Sequence, residues 1–291
     1  MTAITSSPAP VVGRNERLGL VGSTNDVVRT WLADGEPEIC IARADRQTAG
    51  RGRSGRTWSA PAGRGLLVSL GFRPTWLAPD RAWQLAATVS MAMADSAREE
   101  AGLPDNAIRL KWPNDLVVID GRRDAELALP SPKAKATLPR AIRLRKLGGV
   151  LGETDGLGSA DPRAIVGIGL NADWAEADFP PELAGTMTSL RAATADRPID
   201  TGRLFDGFLA RLETRVQALR GGRFEGTDWS DRQVTTGREV VIELPDGSSE
   251  TVVARGVDAD SGALRIADAH EPGGERSIVV GEIVHVRLAE L

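Results

Sequence analysis

Near Asp228 the hydrophobic rhythm of the chain changes, and with it the kind of structure each part can form. Before that point helical periods and short apolar runs are interleaved. Ser23, Thr24, Asn25 and Asp26 read as a helix N-cap. Val27, Val28, Trp31 and Leu32 follow at helical spacing, and Gly35 stops the helix. Strand-like runs come next at residues 38–44 and 65–72, then a helix over 80–102 closed by a glycine C-cap. Short strands are expected at 108–112, 116–119, 146–153 and 164–171. A further helix at about 202–219 has Leu204, Phe205, Phe208, Leu212, Val216 and Leu219 on one face. Helices and strands without strict βαβ alternation make this part α+β rather than a Rossmann fold. After Asp228 the runs at 240–244, 251–257, 263–267, 277–280 and 283–288 are all short, and Pro245-Asp246-Gly247 is a hairpin turn. These predict a small β-barrel-like domain. The expected division is therefore a flexible stretch at 1–15, a main domain at 16–227 and a C-terminal domain at 228–291.

Composition narrows the functions such a chain can serve. With 291 residues it can bury one large core with a small satellite. The net charge of -4 gives no global pull toward nucleic acid or membrane, so an anion site must come from a local cluster of Lys and Arg. The single cysteine, Cys40, excludes an internal disulfide and a multi-cysteine zinc site; it sits in an apolar run and reads as a small buried hydrophobe. The first ten residues lack the pattern of a signal peptide, and no stretch is long and apolar enough to span a bilayer. A cytoplasmic location without membrane attachment is expected. Residues 122–145 carry three prolines and no clean period, and read as a mobile surface insertion. Its Lys133, Lys135, Arg140, Arg143 and Arg145 would suit an acidic partner surface.

Four segments could carry chemistry. In Gly50-Arg51-Gly52-Arg53-Ser54-Gly55-Arg56-Thr57-Trp58, glycines allow close backbone approach to a ligand, and three arginines could neutralise a phosphate and a carboxylate together. On residue types alone the tract could equally be a solvated basic loop or an RNA-contacting one. In Lys111-Trp112-Pro113-Asn114-Asp115, Pro113 breaks a strand and fixes the directions of flanking groups that could face phosphates and a magnesium ion, or form an ordinary turn. Lys146-Leu147-Gly148-Gly149-Val150-Leu151-Gly152-Glu153 places a point charge beside glycines, and a plain glycine-rich strand fits as well. In Gly167-Ile168-Gly169-Leu170-Asn171 the asparagine could read an adenine edge or cap a turn.

Their order is more telling than any one of them. Ser-Thr-Asn, Gln47 before the arginine-glycine loop, Lys-Trp-Pro-Asn-Asp, Lys-Leu-x-Gly-x-Leu and Gly-x-Gly-x-Asn, over residues 20–290, resemble the motif series of biotin–protein ligases of the type without an N-terminal DNA-binding domain. The resemblance implies a mixed-sheet catalytic domain of the biotin/lipoate ligase type followed by a small SH3-like β-barrel. It implies biotin and ATP as substrates, Mg²⁺, a biotinyl-AMP intermediate, and an acceptor lysine on the biotin carboxyl carrier domain of an acyl-CoA or pyruvate carboxylase. It further implies that Ser23, Thr24, Asn25 and Gln47 hold the biotin ring, with Gly149 as a backbone contact. Arg51, Arg53 and Arg56 would hold the carboxylate and the adenylate phosphate, and Trp58 would pack near the adenine and the biotin tail. Asn114 and Asp115 would serve the nucleotide and the metal with help from Lys111, Lys146 would stand between carboxylate and α-phosphate, and Asn171 would touch the adenine.

Ser23 lies too near the start to leave room for a helix-turn-helix, so no DNA partner is expected, and the protein should be a monomer or a weak homodimer. Gly148 stands where relatives usually carry alanine. A lipoate–protein ligase is the nearest rival, and the tandem arginine loop argues against it. A nucleic-acid-binding protein would want a basic chain rich in aromatics, whereas this one is acidic and has no Tyr.

Overall fold

The computed structural model describes residues 12–120, 143–271, 273–280 and 285–288. In chain order the elements are β1 (Asn15–Val21), α1 (Thr24–Ala33), β2 (Cys40–Gln47), β3 (Gly65–Phe72), α2 (Trp83–Glu100), β4 (Ile108–Lys111), β5 (Asp115–Asp120), β6 (Arg143–Asp155) and β7 (Arg163–Asn171). There follow α3 (Pro181–Ala184), α4 (Leu190–Ala193), α5 (Thr201–Arg220), α6 (Gly226–Asp231), β8 (Glu239–Glu243), β9 (Ser249–Val257), β10 (Leu264–Ala267), β11 (Glu275–Ile278) and β12 (His285–Leu288).

Seven strands form a mixed sheet in the order β1-β2-β3-β7-β6-β5-β4, in which β1 and β2 run parallel and the other pairs antiparallel. The α+β expectation holds. Every residue of β3 is buried because both faces of the sheet are covered. One face meets α1 through Val28, Trp31 and Leu32, which pack with Cys40, Ala42 and Ile165. Cys40 is fully buried, and burial pushes its thiol up to about 11, as expected of a structural hydrophobe. The other face meets α2 and α5. The predicted stripe on α5, from Leu204 to Leu219, is buried in full, and Asp200 caps the helix by accepting from the Gly202 and Arg203 N–H groups. Between these helices Asp95 of α2 pairs with Arg215 of α5 at 2.7 Å and with Arg232 at 2.6 Å.

The five C-terminal strands form one antiparallel sheet in the order β11-β10-β9-β8-β12; among the described residues the sheet is not closed into a barrel. It is not a detached appendage. Val240, Ile242, Ala254, Leu264 and Ile266 belong to the same apolar cluster as the sheet-and-helix core. Trp83, Phe224 and Trp229 stack along the seam, with Trp83 and Phe224 edge-on at 5.1 Å.

Two expectations need correction. β1 joins the edge of the large sheet, where the sequence reading has no strand. The insertion expected at 122–145 ends earlier than that, since β6 begins at Arg143; Arg145 is 9% exposed and ion-paired to Glu176 at 3.1 Å. The remainder of that stretch, residues 121–142, lies outside the described residues. No helix among the described residues is long and apolar enough to cross a membrane.

Candidate functional site

Side chains alternate along β7, so Val166, Ile168 and Leu170 enter the core while Gly167 and Gly169 lie on the opposite side, the first against α1 and the second against the arginine loop. A Cβ at Gly167 would run into the Asn25 carboxamide, and one at Gly169 into the Trp58 indole. The two glycines thus let the start of α1 and the arginine loop settle onto the sheet. Between them opens a cavity of about 460 Å³.

One end of the cavity is a hydrogen-bonded polar cluster. Gln47 Oε1 accepts from the Thr24 backbone N–H at 2.7 Å and lies 2.9 Å from Thr24 Oγ1. Ser69 Oγ, on the fully buried β3, is 2.7 Å from Thr24 Oγ1 and 2.5 Å from Asn25 Oδ1. Asn25 Nδ2 donates to Glu153 Oε2 at 2.7 Å, and that carboxylate also pairs with Arg29 at 2.8 Å. Ser23, the N-cap residue of α1, makes no side-chain cap and lines the cavity instead.

The arginine-glycine segment closes on itself. Trp58 N donates to Gly50 O at 2.9 Å and Gly52 N to Arg56 O at 2.7 Å, around a tight turn in which Ser54 and Gly55 take φ of 54° and 72°. The three arginines leave this hairpin in different directions. Arg51 is held by Asp26 at 2.7 Å and by Glu153 at 3.6 Å, and its guanidinium keeps the Asp26 carboxyl below the usual range. Arg53 donates at 3.0 Å to the carbonyl of Val280, just beyond β11, and burial lowers its pKa. Arg56 lines the cavity. The buried Trp58 Nε1 has no partner among the described residues.

The other end is cationic. Lys111 and Asp115 are antiparallel partners across the Pro113 turn, which puts both side chains on one side, 3.7 Å apart. Lys146 Nζ lies 2.6 Å from Asp115 Oδ1 and 5.6 Å from the centre of the Trp58 ring. Burial lowers the Lys111 pKa, an effect that Asp115 only partly offsets. Asn114 does not point at this charge cluster but donates to Val150 O at 2.9 Å, tying the turn to β6. With Arg53 and Arg56 nearby, the end as a whole suits a polyanion.

The cavity thus gathers Ser23, Thr24, Asn25, Gln47, Arg51, Arg53, Arg56, Trp58, Lys111, Asn114, Asp115, Lys146 and Gly149. Asn171 is not among its lining: it is 0% exposed, its Nδ2 donates to Thr188 O at 3.0 Å, and its Oδ1 has no partner among the described residues. Two contributions were missed. Ser69 and Glu153 hold the polar end, although Glu153 closes a quoted motif. Residues 174–187 form a wall bearing Trp174, Asp178, Leu183 and Met187, pinned to β6 by Lys146 N donating to Thr186 O at 2.8 Å. No group of three or more metal-ligating side chains occurs among the described residues. Asp115 has an ammonium at each oxygen, so the residues do not fit a resident metal centre.

The model of the biotin/lipoate A/B protein ligase family matches residues 21–171. A biotin–(acetyl-CoA-carboxylase) ligase of Mycobacterium tuberculosis is 31% identical over 271 residues, covering 91% of this chain and 86% of the relative. One of Paracoccus denitrificans is 28% identical over 87% of this chain and 92% of its own length. Among solved structures, the biotin protein ligase from Aquifex aeolicus in complex with biotin and ATP superposes with a TM-score of 0.70 at 23% identity, over 95% of this chain and 99% of that one, a likeness of fold.

Proposed function

Because this chain belongs to the biotin/lipoate A/B protein ligase family, we propose that it is an ATP-dependent biotin–protein ligase acting on the biotin carboxyl carrier domain of a carboxylase. The observation that carries this reading is the polarity of this cavity. It has a hydrogen-bonding end at Thr24, Asn25 and Gln47 for a polar ring, and a cationic end at Lys111, Lys146, Arg53 and Arg56 for an acid and a phosphate.

In the first step the biotin carboxylate forms a bond to the α-phosphorus of ATP. The bond from that phosphorus to the bridging oxygen breaks, and pyrophosphate leaves. Two anions must approach each other, and Lys146 with the loop arginines lowers that repulsion by pre-placed charge. In this reading Lys146 exchanges Asp115 for the reacting carboxylate and α-phosphate. Trp58 covers the mixed anhydride and keeps water away. In the second step the acceptor lysine amine attacks the acyl carbon, the carbon–oxygen bond to phosphate breaks, AMP leaves, and the amine's proton passes to solvent. Any magnesium ion would arrive on the triphosphate as part of the substrate, because Lys111 and Lys146 already hold the two Asp115 oxygens and leave this end of the cavity no metal centre of its own.

The test is biotin-dependent exchange of labelled pyrophosphate into ATP, with lipoate as the control acid. Exchange with biotin alone supports the reading, and biotin binding without exchange sinks it.

A further inference from the structure

The polar end of the cavity has too few protons for its contacts. Glu153 as a carboxylate only accepts, so Asn25 must turn Nδ2 toward it, which leaves Oδ1 facing Ser69. At the other end the Thr24 backbone N–H requires an acceptor, so Gln47 must turn Oε1 toward it. Between these two acceptor atoms stand only the hydroxyls of Ser69 and Thr24, one proton each. They must serve contacts of 2.5 Å from Ser69 to Asn25, 2.7 Å from Ser69 to Thr24 and 2.9 Å from Thr24 to Gln47. Asn25 Oδ1 takes the Ser69 proton. The Thr24 proton then goes to Ser69 or to Gln47, and one oxygen–oxygen contact is left without any.

We propose that Glu153 is a positioning residue for the ring-binding end: through Asn25 and Ser69 it draws the Thr24 hydroxyl proton toward Ser69, so that Thr24 Oγ1 joins Gln47 Oε1, already fixed by the Thr24 N–H, in facing the bound group as an acceptor, and that group must present an N–H donor. The proposal rests on the ligase reading and deepens it, because a cyclic urea has such donors and a dithiolane ring has none. Glu153 reaches the same cavity by a second route as well, since its other oxygen lies 3.6 Å from Arg51. The backbone admits the relay, because the bare Gly167 gives the Asn25 carboxamide its place against β7, where any Cβ would run into it.

The experiment measures the affinity of the full chain for biotin and for its two N-methyl ureido derivatives, in wild type, Glu153→Leu, Glu153→Gln and Ser69→Ala. Wild type should prefer biotin by a hundredfold or more. Glu153→Leu and Ser69→Ala should weaken biotin about tenfold and reduce that preference about tenfold, raising KM for biotin far more than they lower kcat. Glu153→Gln retains an accepting oxygen for both Asn25 and Arg29, and should restore the preference. Unchanged preference in folded Glu153→Leu or Ser69→Ala overturns the proposal alone. Failure of wild type to bind biotin overturns the ligase reading with it.

Discussion

Lys146 and Gly149 face the same side of β6 although three positions separate them, because the β5–β6 ladder slips by one residue between them. Asp115 pairs with Gly149 and Leu116 with Gly148, but Val117 pairs with Lys146, so Leu147 is the extra residue of a bulge. In an unbroken strand, side chains of opposite parity would point apart. The bulge buries Leu147 completely and brings the Lys146 ammonium to Asp115.

Lys146→Ala should therefore remove chemistry and spare the fold. Pyrophosphate exchange should fall by about 10²–10³, the usual effect of losing one pre-placed stabiliser of developing charge. The melting temperature should stay within a few degrees of wild type, since Lys146 is part-exposed. Exchange at more than a tenth of the wild-type rate would contradict the role assigned to this ammonium.

Lys111 gives a pH dependence whose sign can be worked out. Burial holds its pKa below that of a free lysine. Between that depressed value and about 10.4 the unfolded chain binds the extra proton, so this group makes stability rise with pH through the window. Asp115 opposes the depression, so Asp115→Asn should deepen it. The alkaline limb of the exchange rate should then move to lower pH than in wild type. A limb that stays in place would show that the Lys111 charge is not used.

Gly169→Ala tests the close approach of the loop. The new methyl would occupy the place of the Trp58 indole, so either the indole moves or the strand yields. Overpacking of this kind costs about 1–3 kcal/mol. Trp58 should be displaced from the cavity, with KM for biotin and ATP raised tenfold or more. A crystal structure of the variant with Trp58 unmoved would refute this.

Acid should loosen the junction of α2 and α5. Burial pushes the Asp95 carboxyl up, but the Arg232 and Arg215 guanidiniums outweigh it and hold the group below its usual range. A carboxyl depressed in the folded state contributes stability that is present above the unfolded pKa of about 3.9 and is lost as pH falls through the folded value. Asp95→Asn should lower stability at pH 7 by about 1–3 kcal/mol. The gap from wild type should shrink as the pH falls below about 4. Urea titrations at the two pH values measure it.

The α+β architecture and most of the cavity were legible because periodicity and short-range motifs report local geometry. The α5 stripe and the Gly167–Gly169 pair are of that kind. What escaped depends on distant partners. β1 reads as polar because a parallel edge strand has one open side, and its partner β2 lies beyond a helix. The bulge at Leu147 leaves no mark in composition, since its cause is the register against β5. Asn171 carries the side chain expected of a base reader, but the chain returning through Thr188 takes its amide. Glu153 looks like the polar end of a strand until α1 brings Asn25 against it.

Trp112 stands inside the Lys-Trp-Pro-Asn-Asp motif, yet its surroundings belong to the far end of the chain. It is 1% exposed, its indole N–H donates to Gly262 O at 2.9 Å, and its backbone N–H donates to Thr235 Oγ1 at 3.0 Å. The boundary drawn in the sequence near Asp228 is therefore a boundary of pattern and not of mechanics. A chain cut there would lose the ceiling over its own motif, and calorimetry of the intact protein should record one melting event rather than two. Damage in the small sheet would reach Lys111 and Asp115 through Trp112 between them, and would be felt as slower turnover at a site that none of its strands was expected to touch.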